Sequence, residues 1–542
     1  MILIFEIIKN DNMFSAIYSV SKSFWISLSV FFLICLGYYI NVLFKTDFHY
    51  TYPLDDVYIH LAIAKNFALH DVWGITQYEF SSTSSSPIYT YLLSLYIQIF
   101  GNNDQIPLYF NIVFGIALLF YLNKYYSEIF RQNKYSVFAL FFTVSFSVLH
   151  LQLLSGMEHM LHVLLFVINI YYLQKIEEKK IFQLGFFVSL ALMGLVRFES
   201  MFYILLLALF FLIIKRWKRA LATLIIGFLP IVLFCYCNKQ LGGYWFPNSV
   251  VVKGTSISFD GMFLSQMKTI FLDKLFLNIS FYKVGIFPLL IVFYFIYSDF
   301  KKKNLQYSFQ QNWLSIVLCF SLLAHSMFGD FKGGFRYEAY LMVGFCMVLI
   351  PKIMFLFTNF RQFINQEKFL SLMVVLSFML MIYKVGYSHL LLNNAGKNVY
   401  EQQVQSAKFL HKYYNNSKIV ANDIGVISYY TNIQLLDIVA LGSTHMIPYK
   451  RAGKDFDLRF ENYLTKYSKQ HKYDLAIVYE DWLDGHVPKN WQKVAVLRIS
   501  NLIGVAGNEV SIYSISNDEK EKLKQNIKNF DWNKNVEVIF IN

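Results

Sequence analysis

The sequence predicts a multi-pass α-helical membrane protein that carries a soluble α/β domain in its C-terminal part. Three observations predict it. Of 542 residues, 56% are hydrophobic and only 15% are charged, against roughly 25% charged in an ordinary soluble protein. Apolar runs of membrane-spanning length recur from about residue 24 to residue 391. After Asn393 the texture changes: residues 393–542 hold 35 charged side chains in 150 positions, whereas the preceding 392 residues hold 48. These values exclude a water-soluble globule for most of the chain, and they exclude disorder. The chain divides into a transmembrane bundle, 1–392, and a soluble domain, 393–542.

The apolar runs give about eleven spans, at roughly 24–44, 106–123, 135–152, 158–173, 182–196, 200–214, 220–237, 284–298, 313–328, 337–356 and 369–391. Several are shorter than the ~20 residues of a perpendicular crossing, so their ends must reach into the flanks. Residues 24–44 are too long for a signal-peptide core, and no small-residue cleavage site follows. With the N-terminus inside, the inner loops carry Lys9 and Lys22, then Lys124, Arg131 and Lys134, then Lys175, Lys179 and Lys180. The series continues with Lys215, Arg216, Lys218 and Arg219, then Lys301, Lys302 and Lys303, then Lys352, Arg361 and Lys368. Every inner loop is basic, and an odd number of spans places the C-terminal domain outside. The net charge of +13 is therefore mainly an orientation signal, and no nucleic-acid partner is called for. The five cysteines lie in apolar runs and are odd in number, which argues against a disulfide framework.

The first outer loop holds two further helical stretches. If residues 86–100 spanned the bilayer, every later basic loop would fall outside, so they are predicted to lie in the outer interface. Residues 57–70 are predicted as a second interfacial helix, with Val57, Leu61, Ala64 and Ala68 on one face and His60 and Lys65 off it. In the C-terminal domain, 401–414 reads as helix, and strands are predicted at 418–422, 435–439, 473–479 and 493–499. The last strand is expected at 509–515.

The strongest local signal for chemistry is Asp55–Asp56, a few residues outside the first span. Capping of helix 57–70 is the plain structural reading. Adjacent side chains diverge, however, so one carboxylate can cap while the other faces a cavity. DDVYIHLAIAKNFALHD with SSSPIYTYLLSLYIQIFG resembles the first outer loop of GT-C-fold glycosyltransferases. Four further stretches, SGMEHMLHVLLF, LVRFES, GYWFPNSVVVK and NDIGVISYYTNIQLLDIVALGSTH, resemble in order the branch holding the mycobacterial terminal arabinofuranosyltransferases. Phe198 stands where that branch has proline.

The resemblance implies a GT-C-like bundle in a bacterial inner membrane, with a periplasmic or extracytoplasmic C-terminal domain. It implies a polyprenyl-phosphate-linked sugar donor, taken from the lipid bilayer, and a periplasmic or cell-surface glycan acceptor. A carboxylate after the first helix would be the base. A lipid-phosphate leaving group needs no general acid, so one base and cations for the phosphate suffice, with inversion at the anomeric carbon. Asp55 is favoured as base over Asp56, which is nearer the helix start and suits capping better.

Arg336 is the preferred phosphate clamp, because Arg offers a planar fork and GDFKGGFRYE lets backbone come close to a ligand. Arg197, Lys253 and Lys332 are the other clamp candidates. His60, Glu158, His159, Glu199, Asn248 and Asp330 are further pocket candidates. A divalent metal between His159 and Asp55 or Asp56 stays open, although three ligands at defined spacing are absent. Tyr429, Tyr430 and Asp423 are candidates for acceptor contact, with Trp482 as a sugar-stacking ring; Asp423 and Asp437 are equally explained by strand-end turns. Rival readings are the same fold acting on protein or lipid A, a flippase or transporter of lipid-linked sugars, and a non-catalytic assembly protein. Few charges lie in mid-span and no repeat symmetry is present, which disfavours the transporter.

Overall fold

The computed structural model describes residues 22–254, 263–329, 331, 333–356, 360–451, 456–500 and 502–541. The bundle opens with α1 (Lys22–Lys45), followed by α2 (Asp56–His70) and α3 (Pro87–Phe100) at one end of it. It continues with α4 (Ile106–Ile129), α5 (Asn133–Phe146), α6 (Leu149–Leu154), α7 (His159–Gln174), α8 (Lys180–Val196), α9 (Ser200–Ile213) and α10 (Trp217–Gln240). After the short α11 (Asn248–Lys253) and α12 (Phe263–Lys268) come α13 (Ile279–Lys302), α14 (Leu305–Phe328), α15 (Ala339–Leu356), α16 (Phe360–Gln366) and α17 (Lys368–Val399). Apolar chain in hydrocarbon must satisfy its backbone within the segment, which is why these runs are helical.

Each of the eleven predicted spans falls on a helix, but length does not carry eleven crossings. Among the described residues six helices are long and apolar enough to cross a bilayer: α1, α4, α10, α13, α14 and α17. The other five, α5, α7, α8, α9 and α15, have 14 to 18 residues, a rise of about 21–27 Å against ~30 Å of hydrocarbon. The predicted span 135–152 is broken where Val148 adopts a left-handed conformation, φ 44°, which separates α5 from α6.

The two outer-loop helices differ in exposure. α3 buries Tyr89, Leu93 and Ile97 and turns Tyr91, Ile99 and Phe100 outward. In α2, by contrast, every residue from Val57 to Asn66 is buried, including His60 and Lys65. It is covered by α3 on one flank and by the C-terminal domain on another, so no face is left for lipid headgroups.

α17 runs without a break through a π-turn at Tyr400–Val404 into α18 (Gln405–Tyr413), so no linker marks the bundle's edge near 392. The domain is a six-stranded sheet in the order β2-β1-β3-β5-β4-β6. Here β1 is Lys418–Ala421, β2 Gln434–Asp437, β3 Leu475–Val478, β4 Gln492–Arg498, β5 Glu509–Ser514 and β6 Glu537–Phe540. β1 pairs in parallel with β2 and β3, through Val420–Leu436 and Ile419–Leu475, while β5, β4 and β6 are antiparallel. The helices of the domain are α19 (Gly425–Tyr430), α20 (Ile447–Arg451), α21 (Leu458–Gln470) and α22 (Lys520–Asn529).

The five predicted strands are present, but 509–515 is not the last. β6 adds an edge strand of four half-buried or exposed residues, too short and too polar in its setting to stand out in sequence. One hydrophobic core runs from the bundle through α2 into the domain, joining Val57 and Ile63 to Val426 and Ile427.

Candidate active site

A cavity of about 750 Å³ lies where the helix ends of the bundle meet the C-terminal domain. Its polar half is lined by Asp56, Ser84, Ser85, Arg197, Glu199, Lys253, Arg336 and Tyr337, and its apolar half by Phe198, Met201, Phe202, Trp245, Val250 and Phe328. A second cavity of about 660 Å³ among α5, α13, α15 and α17 is lined almost wholly by apolar side chains and gathers no acid–base pair.

The neighbouring carboxylates diverge, and of the two it is Asp56 that lines the cavity. Asp55 occupies the N-cap position of α2 but does not cap it with its side chain. It reaches across to α19 instead, where Oδ2 accepts the N–H of Gly425 at 2.7 Å and Oδ1 accepts that of Val426 at 2.8 Å. Burial pushes its carboxyl up, and hydrogen bonds from Asp423, Val426 and Gly425 oppose that push. Asp423 lies against it and is raised well above the carboxylate range, by burial and by the charge of Asp55. Both carboxyls are raised, Asp423 the further, and a hydrogen bond joins them. Both oxygens of Asp55 are engaged with the start of α19.

Asp56 lines the cavity, with 32% of its side chain exposed, and Oδ2 accepts a hydrogen bond from Arg336 Nη2 at 2.7 Å. Burial pushes this carboxyl up, but Arg336 and Lys253 outweigh it and hold the group well below the usual carboxylate range.

Arg336 comes from the turn that precedes α15. Its Nη2 also donates to the Tyr337 hydroxyl at 2.9 Å, while Nε and Nη1 are buried without a hydrogen-bond partner among the described residues. Gly333, at φ +100°, lies against this guanidinium; a Cβ there would stand 2.8 Å from Nε. Arg197 is saturated by comparison. Nη1 donates to Glu158 Oε1 at 2.8 Å and to Ser85 at 3.3 Å, and Nε and Nη2 engage Glu199. The ring of Tyr337 sits 4.9 Å from both guanidinium groups. Glu158 is fully buried and lies 3.3 Å from His60 Nε2. Burial opposes its charge, but His159, His60 and Arg197 together hold it well below the usual value. Glu199 is likewise pulled down to about 2: burial works against its charge and Arg197 outweighs that. His60 Nδ1 also meets Ser84 Oγ at 3.0 Å.

Several other sequence-predicted residues lie elsewhere. Asn248 is fully buried but pins the start of α11 to the domain, donating to Leu441 O at 2.9 Å and to Thr444 at 3.0 Å. Tyr429 and Tyr430 do not face the cavity. Their hydroxyls donate to Asn102 at 3.0 Å and Asp104 at 2.5 Å, which ties the domain to the loop before α4. Asp104 is held in turn by His49 at 2.9 Å. Trp482 packs on Tyr479, 5.3 Å between ring centres. Asp437 accepts the N–H groups of Val439, Leu441 and Gly442, as the strand-end turn predicts. Asp330 and Lys332 lie outside the described residues.

His159 packs edge-on against Tyr337, 5.5 Å between ring centres. Among the described residues no three His, Cys, Asp or Glu side chains gather as metal ligands. The cavity residues that sequence reading passed over are Ser84, Ser85 and Tyr337. The Ser81–Ser86 run signalled only a loop, and Tyr337 was hidden between two charged neighbours.

Residues 84–237 match the family described as dolichyl-phosphate-mannose-protein mannosyltransferase, and residues 397–513 match a domain of unknown function (DUF8728). No curated protein matches the sequence. In three dimensions the chain is similar to ArnT from Cupriavidus metallidurans bound to undecaprenyl phosphate. The identity is 10% and the TM-score 0.51, over 92% of this chain and 99% of that one. The apo state of ArnT gives 11% and 0.50, over 91% and 98%. None of these matches carries the narrower resemblance to the arabinofuranosyltransferase branch. At this identity the similarity to ArnT is one of architecture, and the chain has the GT-C fold.

Proposed function

We propose that this protein is a membrane glycosyltransferase that moves a sugar from a polyprenyl phosphate to a hydroxyl of a periplasmic or cell-surface glycan, with Asp56 as the base. The observation that carries this reading is the pairing of Asp56 with Arg336 at 2.7 Å inside the cavity, with the Nε and Nη1 donors of Arg336 unpartnered among the described residues. A phosphate entering the cavity would meet the charge of Arg336 and accept from one of these donors, with Lys253 adding charge from α11. Arg197, already held by Glu158 and Glu199, orients Ser85 and Tyr337 rather than gripping the donor. The apolar half of the cavity, around Phe202 and Phe328, would take the first isoprene units, and the remaining tail would lie in the bilayer.

The acceptor oxygen attacks the anomeric carbon, the bond from that carbon to the phosphate oxygen breaks, and the hydroxyl proton passes to Asp56. The products are the glycoside and a free polyprenyl phosphate, with inverted configuration. Free Asp56 is a weak base because Arg336 and Lys253 depress it. A bound phosphate shares those cations and adds negative charge, both of which raise the basicity of Asp56 as the donor arrives. Asp55 is reassigned from base to structural partner of the domain.

The cavity faces the same end of the bundle as the C-terminal domain, so the basic-loop asymmetry would put the reaction on the outer face. The match of residues 84–237 to a protein mannosyltransferase family favours a protein hydroxyl as the second acceptor reading. The test is analysis of surface polysaccharide, glycoprotein and lipid fractions from a deletion strain complemented with wild type or Asp56→Asn. Loss of one sugar substituent that wild type restores and the variant does not supports the reading, and the affected fraction names the acceptor. Restoration by Asp56→Asn overturns it.

A further inference from the structure

We infer that the C-terminal domain positions the base: α19 is gripped at both ends by α2, and that grip, made by Asp55 and Lys65, fixes the helix start from which Asp56 enters the cavity. The inference rests on the reading of Asp56 given above. At the N-terminus of α19, Asp55 takes the N–H groups of Gly425 and Val426 at 2.7 and 2.8 Å. At its other end the Lys65 ammonium donates to Tyr429 O at 2.6 Å and to Ser428 O and Thr431 O at 3.4 Å. A negative group at the N-terminal end and a positive group at the C-terminal end is the arrangement the peptide dipoles favour.

Both grips come from one rigid helix, ten residues apart in sequence, so they fix the direction of α19 along α2 as well as its position. The contact leaves no slack. A Cβ on Gly425 would stand 2.3 Å from Asp55 O and 2.6 Å from its Oδ2. Neither Asp55 nor Asp423 lines the cavity, yet Asp56 follows Asp55 directly, so any turn of Asp55 moves Asp56 relative to Arg336.

Asp423 completes the joint. It stands two residues before Gly425 and hydrogen-bonds to Asp55 and, through its other side, to Gln403 of the π-turn that joins bundle to domain. The charged and titratable groups facing it are Asp55 and Asp56 from the start of α2, Asp437 from the end of β2 and the Tyr479 hydroxyl after β3. All four are acids. Asp423 therefore acts as a donor to Asp55, a role an amide can fill and a methyl group cannot.

The experiment compares Asp423→Asn, Asp423→Ala and Gly425→Ala with wild type in nanodiscs. The first readout is amide hydrogen exchange of residues 56–60. Asp423→Ala and Gly425→Ala should speed exchange there at least tenfold, and Asp423→Asn should leave it within threefold of wild type. The second readout is sugar transfer from a membrane extract of lipid-linked sugars. Asp423→Ala and Gly425→Ala should lower kcat about tenfold or more at unchanged donor KM, with Asp423→Asn rescuing it. Wild type should also lose kcat as rising pH strips Asp423 of its proton, and Asp423→Asn should not. Unchanged exchange at 56–60 in both disruptive variants overturns the inference whatever the transfer rates. Accelerated exchange with an undiminished kcat also overturns it. If wild type transfers no sugar while exchange responds as stated, the proposed function fails and the grip stands as a structural joint.

Discussion

Replacing Arg336 by Gln removes one charge and two guanidinium donors, and its effect on lipid-phosphate binding follows from the geometry. Nε, which lies against the turn at Gly333, and Nη1 are buried and have no hydrogen-bond partner among the described residues. One of these two donors, Nε or Nη1, can reach a given phosphate, and a hydrogen bond to a charged group contributes about 1.5–3 kcal/mol. Part of this is offset. Asp56 loses its partner in the variant, and a neutralised Asp56 repels the incoming phosphate less than an ionised one. On that range, undecaprenyl phosphate should bind Arg336→Gln about 10- to 100-fold more weakly, at 1.4 kcal/mol per factor of ten. Arg336→Lys keeps the charge without the fork and should fall between the two. The assay is titration of purified protein in nanodiscs with undecaprenyl phosphate, read by native mass spectrometry. A dissociation constant for Arg336→Gln within threefold of wild type would refute the assignment of Arg336 as the phosphate clamp.

Three further outcomes are expected. The acid limb of kcat/KM, which reports the free enzyme, should lie below the ordinary carboxylate range, because the depressed Asp56 stays ionised as pH falls; Lys253→Met should move that limb upward, and a downward or absent shift would contradict the placement of Lys253. Glu158→Gln leaves Arg197 partly uncompensated beside His60 and should cost about 3 kcal/mol, seen as a lower thermal midpoint in detergent. Tyr430→Phe removes a hydrogen bond to the Asp104 carboxylate, about 1.5–3 kcal/mol. It should lower the midpoint without changing the acceptor KM, whereas a raised acceptor KM would restore Tyr430 to the acceptor site.

The parts legible in sequence are those set by local pattern. Each apolar run became a helix, and five alternating or apolar stretches became strands at nearly the expected bounds. Asp55–Asp56 and Arg336 stood out because charge beside a span needs a reason. What the sequence could not show depends on partners far away in the chain. Whether Asp55 or Asp56 faces the cavity is decided by Gly425, 370 residues later, and nothing local to Asp55 announces it. The burial of α2 has the same origin. Its apolar face, with His60 and Lys65 off it, reads as an interfacial helix until the domain is seen to cover it. Tyr429 and Tyr430 are a pair of aromatics at the end of a short helix, a pattern shared by sugar platforms and by domain joints. Only their hydroxyl partners, Asn102 and Asp104, separate the two.

The most direct test of the central claim is the single-turnover rate of sugar transfer by Asp56→Asn against Asp55→Asn, with donor already bound. The amide of Asp56→Asn cannot take a proton. The account predicts a rate at least a thousandfold below wild type with undecaprenyl phosphate binding intact, the upper part of the range for a lost general base, about 10²–10⁴. Asp55→Asn should lose less, through a misplaced base. If Asp56→Asn turns over within tenfold of wild type, or if Asp55→Asn is the more damaged of the two, Asp56 is not the group that accepts the proton.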